Sequence, residues 1–594
     1  MFFFILYSST RFENILYGCS KNRYEPNVEK EQQTTEKANG YMSVKLIMTE
    51  SIGGRAATDG GYDKGTTDEQ KIDVNKSIFL FYDANGKYVA SGDLKTSTMN
   101  DHESSTHEGN SYGENYKDIN DIHGNAFIAI SAPNDDIKAI KQVLTVVNYP
   151  NVSELDLKNL DQVLYKITNT AINPDNSGFL MTTSAYIDSD KSDDVEPIEK
   201  ADGLIYTTAI SEDNIKATQE AALADGNYVE IYIERASAKV ELLFNGQTIT
   251  TSNTTFPITP TSENSGDINK ESDLLVDGNL TSASIEILGW KVNNVNDETY
   301  LVKKIDQWIN TNPIITPAIT GENATEAVYF TSWNNAKDHR SYWAEGTLWE
   351  NTDGTNLEAF TFDQAKANNT SMSTPMYCYE QTVETPVAAR GTDSPNVTTV
   401  LIAAKIKFNV KDGNSEVEYA GDLFNYAGVM YTETGYKNII LQKLADAGYT
   451  KTDAQTALTL DDIEIAPKAN SLAGIEVTVK SGTYLLKGQA SSKGAIDATI
   501  ATLPYVNAEG YKTGYCYYQI PIEHLTSATA NPFYGVVRNH WYKLDITKVT
   551  HIGEAVYNPG VEIPQIPPKD VAHYLATKIH VLSWHVVKQN VTLD

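Results

Sequence analysis

Short runs in which apolar and polar residues alternate recur along this chain, and they constrain its fold more than any other feature. In residues 41–48 the members of one side, Met42, Val44, Leu46 and Met48, are all apolar, which is the period of a strand with one buried face. Tyrosine, at 35 residues, outnumbers phenylalanine and tryptophan, at 16 and 7, and favours half-buried pleated surfaces. Further strands are predicted at residues 77–82, 126–131, 142–148, 229–234, 284–292, 400–410, 475–479 and 515–522. We therefore predict a mainly β fold.

Length and charge limit the number of domains and the kinds of partner. With 594 residues, the chain exceeds the ~100–200 residues of a usual domain, so we expect at least two globular units. Lys and Arg together number 47 against 78 Asp and Glu, a formal net charge of −31. A surface with this charge repels phosphate backbones, so the chain is not expected to bind nucleic acid.

A few helices are expected between the strands. Ser153 can cap a helix whose apolar residues recur at helical spacing as far as Ile167, and Ser211 can open a second one. A third helix is predicted at residues 437–447, where Gly448 stands in the position of a helix-ending glycine.

Three cysteines indicate that packing, and not a disulfide framework, stabilises the chain. Cys378 and Cys516 each stand between tyrosines and are expected to be small buried thiols, although a bridge between them stays open. Cys19 follows an apolar start, as in a bacterial lipoprotein signal, and we expect it to carry the lipid. Arg11 and Glu13 interrupt that start, so the signal is imperfect.

No motif of catalysis or of metal binding survives inspection. The two histidines of residues 102–107 are five positions apart, whereas a zinc site on a helix needs a spacing of four. Residues 188–194 begin like a calcium loop but lack its turn glycine. We predict that the chain is not an enzyme and has no catalytic residues, metal or cofactor.

Tryptophans gather in the second half of the chain, at Trp308, Trp333, Trp343 and Trp349. Core and interface positions are the commonest use of this residue, but exposed tryptophans can also stack on sugar rings. The cluster therefore leaves open a surface protein that binds glycans, in which Trp343 and Trp349 make the contacts.

Both ends of the folded part of the chain carry features that indicate strands able to leave or join a sheet. Residues 53–61 are small and glycine-rich, so they cannot continue the first strand and are expected to be open to proteases. At the other end, a proline-rich spacer at residues 559–568 precedes an alternating apolar run at residues 577–593. This order predicts a removable first strand and a free last strand on a stiff lead. The last strand could instead complete its own sheet, but such pairing would need no long rigid lead.

Several strings, taken in order, resemble signatures of the Bacteroidales fimbrillin family, the type V pilins. The first strand is followed closely by Gly54, Arg55 and Ala56, which are similar to the family's arginine-specific maturation site. The strings with this resemblance lie at residues 41–48, 54–56, 234–240, 377–380, 536–542 and 581–586.

The resemblance implies two tandem transthyretin-like β-sandwich domains, export as a lipoprotein acylated at Cys19, and a cut between Arg55 and Ala56. It also implies polymerisation, in which the last strand of one subunit replaces the removed strand of another. The removed strand would carry Met42, Val44, Leu46 and Met48. The donor strand would carry Ile579, Val581, Trp584, Val586 and Val587. The implied divisions are a signal at residues 1–19, a removable tether and strand at 20–55, sandwiches at 56–247 and 248–558, and the spacer and donor strand at 559–594.

We therefore expect a structural, shaft-forming subunit of a fimbria on the bacterial surface. Its expected partners are identical or related subunits in a homopolymer, a maturation protease, and a host or bacterial surface receptor. The precursor would touch the outer membrane only through its lipid. An accessory or tip adhesin of the same family is the alternative, together with the glycan-binding lipoprotein above.

Overall fold

A computed structural model of the chain describes a set of segments that fall in one compact unit, residues 38–594. The described residues are 38–47, 69, 71–96, 116–118, 126–149, 166–168, 178–183, 198–200, 203–205, 207–224, 227–258, 280–303, 346–347, 357–367, 372–382, 397–412, 414–426, 429–451, 456–525, 533–549, 551–565, 578–579 and 585–593. In this part of the chain, no helix has the length and apolar character needed to cross a membrane.

Strands dominate the first part of the chain, as the alternating pattern predicts. They are β1 (Gly40–Ile47), β2 (Lys71–Asp73), β3 (Ile78–Tyr82), β4 (Tyr88–Thr96), β5 (Tyr116–Asp118), β6 (Ala126–Ile130), β7 (Gln142–Val147), β8 (Lys166–Thr168), β9 (Met181–Thr183), β10 (Ile198–Lys200), β11 (Gly203–Ile205), β12 (Thr208–Ala209) and β13 (Val229–Arg235).

Eight of these strands form one sheet in the order β12-β7-β3-β4-β6-β1-β13-β9. Strands β7 and β9 also pair, through Val146 and Val147, so the sheet closes on itself. Its apolar core draws on residues between Met42 and Ile233. A short turn between β3 and β4 fixes their register, because Gly86 adopts a φ of 73° that favours glycine.

The second part of the chain also consists mainly of strands. Its strands are β14 (Ser237–Phe244), β15 (Gln247–Thr248), β16 (Thr255–Pro257), β17 (Leu280–Asn293), β18 (Val295–Asn296), β19 (Glu298–Tyr300), β20 (Leu357–Glu358), β21 (Met376–Tyr379), β22 (Thr399–Asp412), β23 (Ser415–Tyr419), β24 (Leu423–Tyr426), β25 (Val429–Thr432), β26 (Tyr449–Lys451), β27 (Ile463–Pro467), β28 (Ile475–Val479), β29 (Tyr484–Leu486), β30 (Gln489–Ser491), β31 (Glu509–Tyr511), β32 (Tyr515–Pro521), β33 (Glu523–Leu525), β34 (Phe533–Tyr534), β35 (His540–Val549), β36 (Glu554–Ala555), β37 (Lys578–Ile579) and β38 (His585–Leu593).

Two sheets of this part share one core. The first runs β15-β14-β35-β38-β37, with β21 pairing β14 from the side, and the second runs β16-β17-β22-β32-β36, with β23 pairing β22. Val240 and Leu544 of the first sheet and Ile287 and Ile402 of the second belong to the same buried cluster. Alternate residues of both sheets therefore face inward, as in a sandwich.

The described helices are short, apart from one. They are α1 (Asn134–Ala139), α2 (Gln219–Ala222), α3 (Phe362–Lys366), α4 (Glu433–Ala447) and α5 (Lys493–Ile500). Tyr436, Ile440 and Leu444 of α4 pack in a separate apolar cluster with Ile496 and Ile500 of α5. Apart from Tyr557, its members lie in the connection from β23 to β32.

The helix predictions had mixed outcomes. Gly448 ends α4 with a φ of 92°, so the helix predicted at residues 437–447 is confirmed, and it begins four residues earlier, where Thr432 caps it. The helix predicted to reach Ile167 is wrong at that residue, because Ile167 pairs with Thr299 in a strand. The β-branched side chain of Ile167 suits that pairing, and the rest of the predicted helix lies outside the described residues. After Ser211 the chain makes a single 3-10 turn, followed by α2.

Candidate assembly site

The first strand, β1, lies inside the closed sheet and not at an edge. Its first half pairs antiparallel with β6, where Met42 is opposite Ile128. Its second half pairs in parallel with β13, where Leu46 is opposite Ile231. Strands β6 and β13 are therefore joined in this sheet through β1, which occupies what we call the first-strand slot.

The predicted apolar side of β1 faces the core, and Ser43 on the other side is buried as well. Met42, Val44 and Leu46 are buried in the core of the closed sheet. Met48, the fourth predicted member, lies outside the described residues. Burial of these three side chains means that β1 contributes to the core as well as to the hydrogen-bond ladder.

Further backbone bonds hold the start of β1. Tyr41 and Lys216 exchange two hydrogen bonds, in which each N–H donates to the other residue's carbonyl at 2.8 Å. The N–H of Asn39 donates to the carbonyl of Ile130, and its side-chain amide donates to the carbonyl of Ala132 at 2.7 Å. The strand is thus attached from its first described residues.

The last strand, β38, pairs within its own chain. It runs parallel to β35 over its whole length, with His585 opposite His540 and Leu593 opposite Val549. On its other side, Val587 is opposite Ile579 of β37. This differs from the free last strand that the sequence analysis favours, and it agrees with the alternative in which the strand completes its own sheet.

The direction of β38 explains the long lead before it. Parallel neighbours require the chain to return to the other end of the first strand, which takes a dozen or more residues, and 35 residues separate Val549 from His585. The first part of this return is docked on the body, since the N–H of Ile563 donates to Phe360 and the N–H of Asp363 donates to Pro559. The expectation that local pairing needs no long lead was therefore wrong.

Three of the sequence strings meet where the two parts of the chain join. Strand β14 has β21 on one side, with Lys239 opposite Tyr377, and β35 on the other, with Lys239 opposite Trp541. The ammonium of Lys239 lies 3.7 Å from the centre of the Trp541 ring. We call this region the junction.

Buried charges concentrate at the junction. Nε of Arg538 lies 3.3 Å from Oε1 of Glu380, and the Arg538 guanidinium also donates to the carbonyl of Tyr300 at 2.9 Å. Nζ of Lys303 lies 3.2 Å from Oε2 of Glu234. Each partner is almost fully buried, so none of these ions can replace its partner with water.

A further buried carboxylate, Glu69, connects the chain upstream of β2 to the junction. Its Oε1 lies 3.0 Å from Nζ of Lys239 and accepts a hydrogen bond from the hydroxyl of Tyr377 at 2.7 Å. Its backbone carbonyl accepts bonds from Nε and Nη2 of Arg235 at 3.1 and 2.9 Å. Burial raises the pKa of Glu69, but the charges of Lys239 and Arg235 outweigh that effect and lower the pKa overall.

The sequence analysis did not single out Glu69, nor the ionic role of Lys239. Glu69 is one acid among many in an unpatterned stretch, and Arg235, Lys239 and Tyr377 stand 166 or more residues away along the chain. The only part of this site that the sequence analysis identified was the string at residues 234–240, which contains Arg235 and Lys239.

The two described cysteines are free and buried, as the sequence predicts. Burial raises the pKa of the Cys378 thiol and of the Cys516 thiol to about 12. Both pack in the core between the two sheets of the second part, which is a structural role.

Several predicted site residues lie outside the described residues. They are Cys19, Arg55, Ala56, Val581 and Trp584, together with Trp308, Trp333, Trp343 and Trp349. Within the described residues, no group of three or more His, Cys, Asp or Glu side chains could hold a metal ion.

Residues 509–590 match a family model described as the C-terminal part of fimbrillin, the major fimbrial subunit protein type IV. The resemblance to fimbrillins that the sequence predicts is confirmed by this match. The matched segment contains β35 and most of β38. No curated protein matches the chain.

Solved structures with similarity to the chain come from Parabacteroides and Bacteroides species. A proposed cell adhesion protein from Parabacteroides distasonis is 10% identical, with 87% of this chain and 94% of that chain covered and a TM-score of 0.33. A proposed cell adhesion protein from Bacteroides eggerthii is 9% identical, with 64% and 78% covered and a TM-score of 0.25. A fimbrial assembly protein from Parabacteroides distasonis is 12% identical, with 60% and 79% covered and a TM-score of 0.19. TM-scores this low do not establish a common arrangement of domains.

Proposed function

We propose that this chain is a structural, shaft-forming subunit of a fimbria on the bacterial surface. In this proposal a protease cuts after Arg55, β1 leaves, and the last strand of a neighbouring subunit takes its place. The observation that carries the proposal is the position of β1, which is buried between β6 and β13 although it lies at the start of the described chain. The family match at residues 509–590 supports the fimbrial setting.

Loss of β1 would leave the closed sheet incomplete. Strands β6 and β13 would each expose an edge of unpaired N–H and C=O groups, which is a template for another strand. The core would also lose Met42, Val44 and Leu46, which at ~1.5–3 kcal/mol each amounts to about 5–9 kcal/mol of apolar burial. An incoming strand can recover this free energy, with ~1 kcal/mol for each backbone hydrogen bond.

The last strand has the properties of the incoming strand. Strand β38 already forms a long parallel ladder with β35, and a replacement for β1 would likewise run parallel to β13 if it kept the direction of β1. Since β38 is paired in its own chain, exchange must first open the β35–β38 ladder. Binding in the first-strand slot can offset the cost of opening that ladder, because the slot provides backbone hydrogen-bond partners on both sides and an apolar surface beneath.

Cleavage determines when a subunit can polymerise. While β1 is part of the chain, its effective concentration at the slot far exceeds that of any other subunit, so the precursor stays monomeric. Arg55 lies eight residues beyond the end of β1 at Ile47. A cut there removes the covalent connection, after which a departed β1 is diluted and no longer competes.

The same proposal covers export and location. Cys19 would carry the lipid of a precursor held at the outer membrane, and the mature subunits would form a surface appendage. A tip adhesin would need no outgoing strand, so the nine-residue β38 favours the shaft. No described residue supports the glycan-binding alternative.

The test is controlled cleavage of the purified precursor with an arginine-specific protease, which does not cut after Lys64, with an Arg55→Ala variant as its control. We expect a new N-terminus at Ala56, followed by a ladder of oligomers on a gel run without boiling. Arg55→Ala should give no Ala56 terminus and far fewer oligomers. Equal ladders from both proteins would contradict the proposal.

A further inference from the structure

Glu69 is anchored much more firmly than its place in the sequence suggests. It follows Arg55 by fourteen residues, and yet its side chain is only 2% exposed. Its carboxylate and its backbone carbonyl both accept bonds, so side chain and main chain are fixed at one point.

The partners of Glu69 come from three different strands. Arg235 is the last residue of β13, Lys239 lies on β14, and Tyr377 lies on β21. Lys239 and Tyr377 stand opposite each other in the ladder between β14 and β21, outside the first-strand slot. Departure of β1 therefore leaves these two contacts of Glu69 in place.

The chain just after Glu69 is also held. Lys71 of β2 is buried, and its carbonyl accepts a hydrogen bond from the side-chain amide of Asn148 at 2.8 Å. The N–H of Asp73 donates to the side chain of Asn148 at 2.7 Å. The main chain is therefore held at Glu69 and again at Lys71 and Asp73 in β2.

We propose that Glu69 is a clamp that sets the downstream limit of the segment released during maturation. The inference rests on the proposed function, and Glu69 acts as a positioning residue for it. Upstream of the clamp, the chain can be cut and lost together with β1. Downstream of it, Lys71 stays inaccessible to an arginine- or lysine-directed protease because Glu69 holds the chain against the junction.

The charge balance of the clamp supports this role. One carboxylate faces both the Lys239 ammonium and the Arg235 guanidinium, and all three groups are buried. Removal of Glu69 takes away the carboxylate that faces both buried cations, which favours local opening so that water can reach them.

The clamp is tested by trypsin digestion of the full precursor, with N-terminal sequencing over time. The sequence offers three adjacent trypsin sites, at Arg55, Lys64 and Lys71. For the wild type we expect new N-termini at Ala56 and Gly65 but none at Ile72. For Glu69→Ala we expect a terminus at Ile72, formed at least tenfold faster than in the wild type.

Asp422→Ala is the matched control. Asp422 is also a buried acid, with Nζ of Lys512 at 2.9 Å and the hydroxyl of Tyr557 at 3.1 Å, but it belongs to the second part of the chain. This variant should lose stability without forming the Ile72 terminus. If it forms that terminus as fast as Glu69→Ala does, the clamp is contradicted.

A milder variant guards against simple misfolding. Tyr377→Phe keeps the ring and removes one hydrogen bond to Glu69, so it should open Lys71 by less than Glu69→Ala while remaining folded by circular dichroism. Unchanged Lys71 cutting in both variants would overturn the clamp. Absence of the Ala56 terminus in the wild type would instead contradict the proposed function, and the comparison at Lys71 would still be readable.

Discussion

At the scale of single residues, the junction depends on charges that have no access to water. Glu380 accepts a bond from the backbone N–H of Arg538 at 3.1 Å as well as pairing with its guanidinium. Such a pair adds little stability in comparison with an apolar pair, but the loss of one member leaves the other stranded. The junction is therefore sensitive to single substitutions.

We predict that Glu380→Ala lowers the free energy of unfolding by about 3–5 kcal/mol, because the buried charge of Arg538 loses its counter-ion. Urea unfolding followed by circular dichroism measures this. The control is Glu418→Ala, which breaks the exposed pairs of Glu418 with Lys405 and Lys407 and should cost less than about 1 kcal/mol. Equal losses in the two variants would contradict the importance of burial.

Sequence reasoning found the strings that form the junction but not their contacts. Glu380 and Arg538 are 158 residues apart, and no periodicity connects positions at that distance. Burial of Cys378 was predictable because its neighbours are aromatic. The contacts of Glu69 depend on the way in which β13, β14 and β21 come together, which only the folded chain shows.

At the scale of elements, periodicity predicted well which segments form strands or helices, but it did not predict which strands pair with each other. Strand β1 was predicted almost residue for residue because its alternation is complete. Helix α4 was predicted because Gly448 ends it. The pairing of β38 with β35 was not favoured, because an alternating run states which face is apolar but not which edge it joins.

The β35–β38 ladder gives a prediction at this scale. A disulfide formed between Lys543→Cys and Lys588→Cys, which are opposite in the register, should hold β38 in its own subunit. The locked protein should still be cut after Arg55 but should not polymerise until a reductant opens the bond. Gel ladders before and after reduction measure this.

Each single cysteine variant serves as a control for the lock and should polymerise with or without reductant. Polymerisation of the locked, oxidised protein at the normal rate would show that β38 need not leave its own sheet. That outcome would contradict a role of β38 as the incoming strand.

At the scale of the whole molecule, the two largest apolar cores each draw on their own part of the chain, while a smaller cluster joins Leu80 and Val146 to Leu301 and Val302. The core of the closed sheet uses residues 42 to 233, and the core between the two later sheets uses residues 238 to 555. The switch between them falls at Ala236, between β13 and β14. The mainly β class was predictable from patterning, whereas the closure of the first sheet was not. The division into tandem sandwiches stays a prediction.

The most direct test of strand exchange uses one variant that can only donate a strand and another that can only accept one. A subunit that lacks residues 577–594 but is cut after Arg55 has a slot and no strand to give. An uncut Arg55→Ala subunit has a strand to give and a filled slot. We predict that each alone stays monomeric in size-exclusion chromatography with light scattering, and that the mixture forms heterodimers and nothing larger. A mixture that stays monomeric, or oligomers formed by either variant alone, would contradict the account.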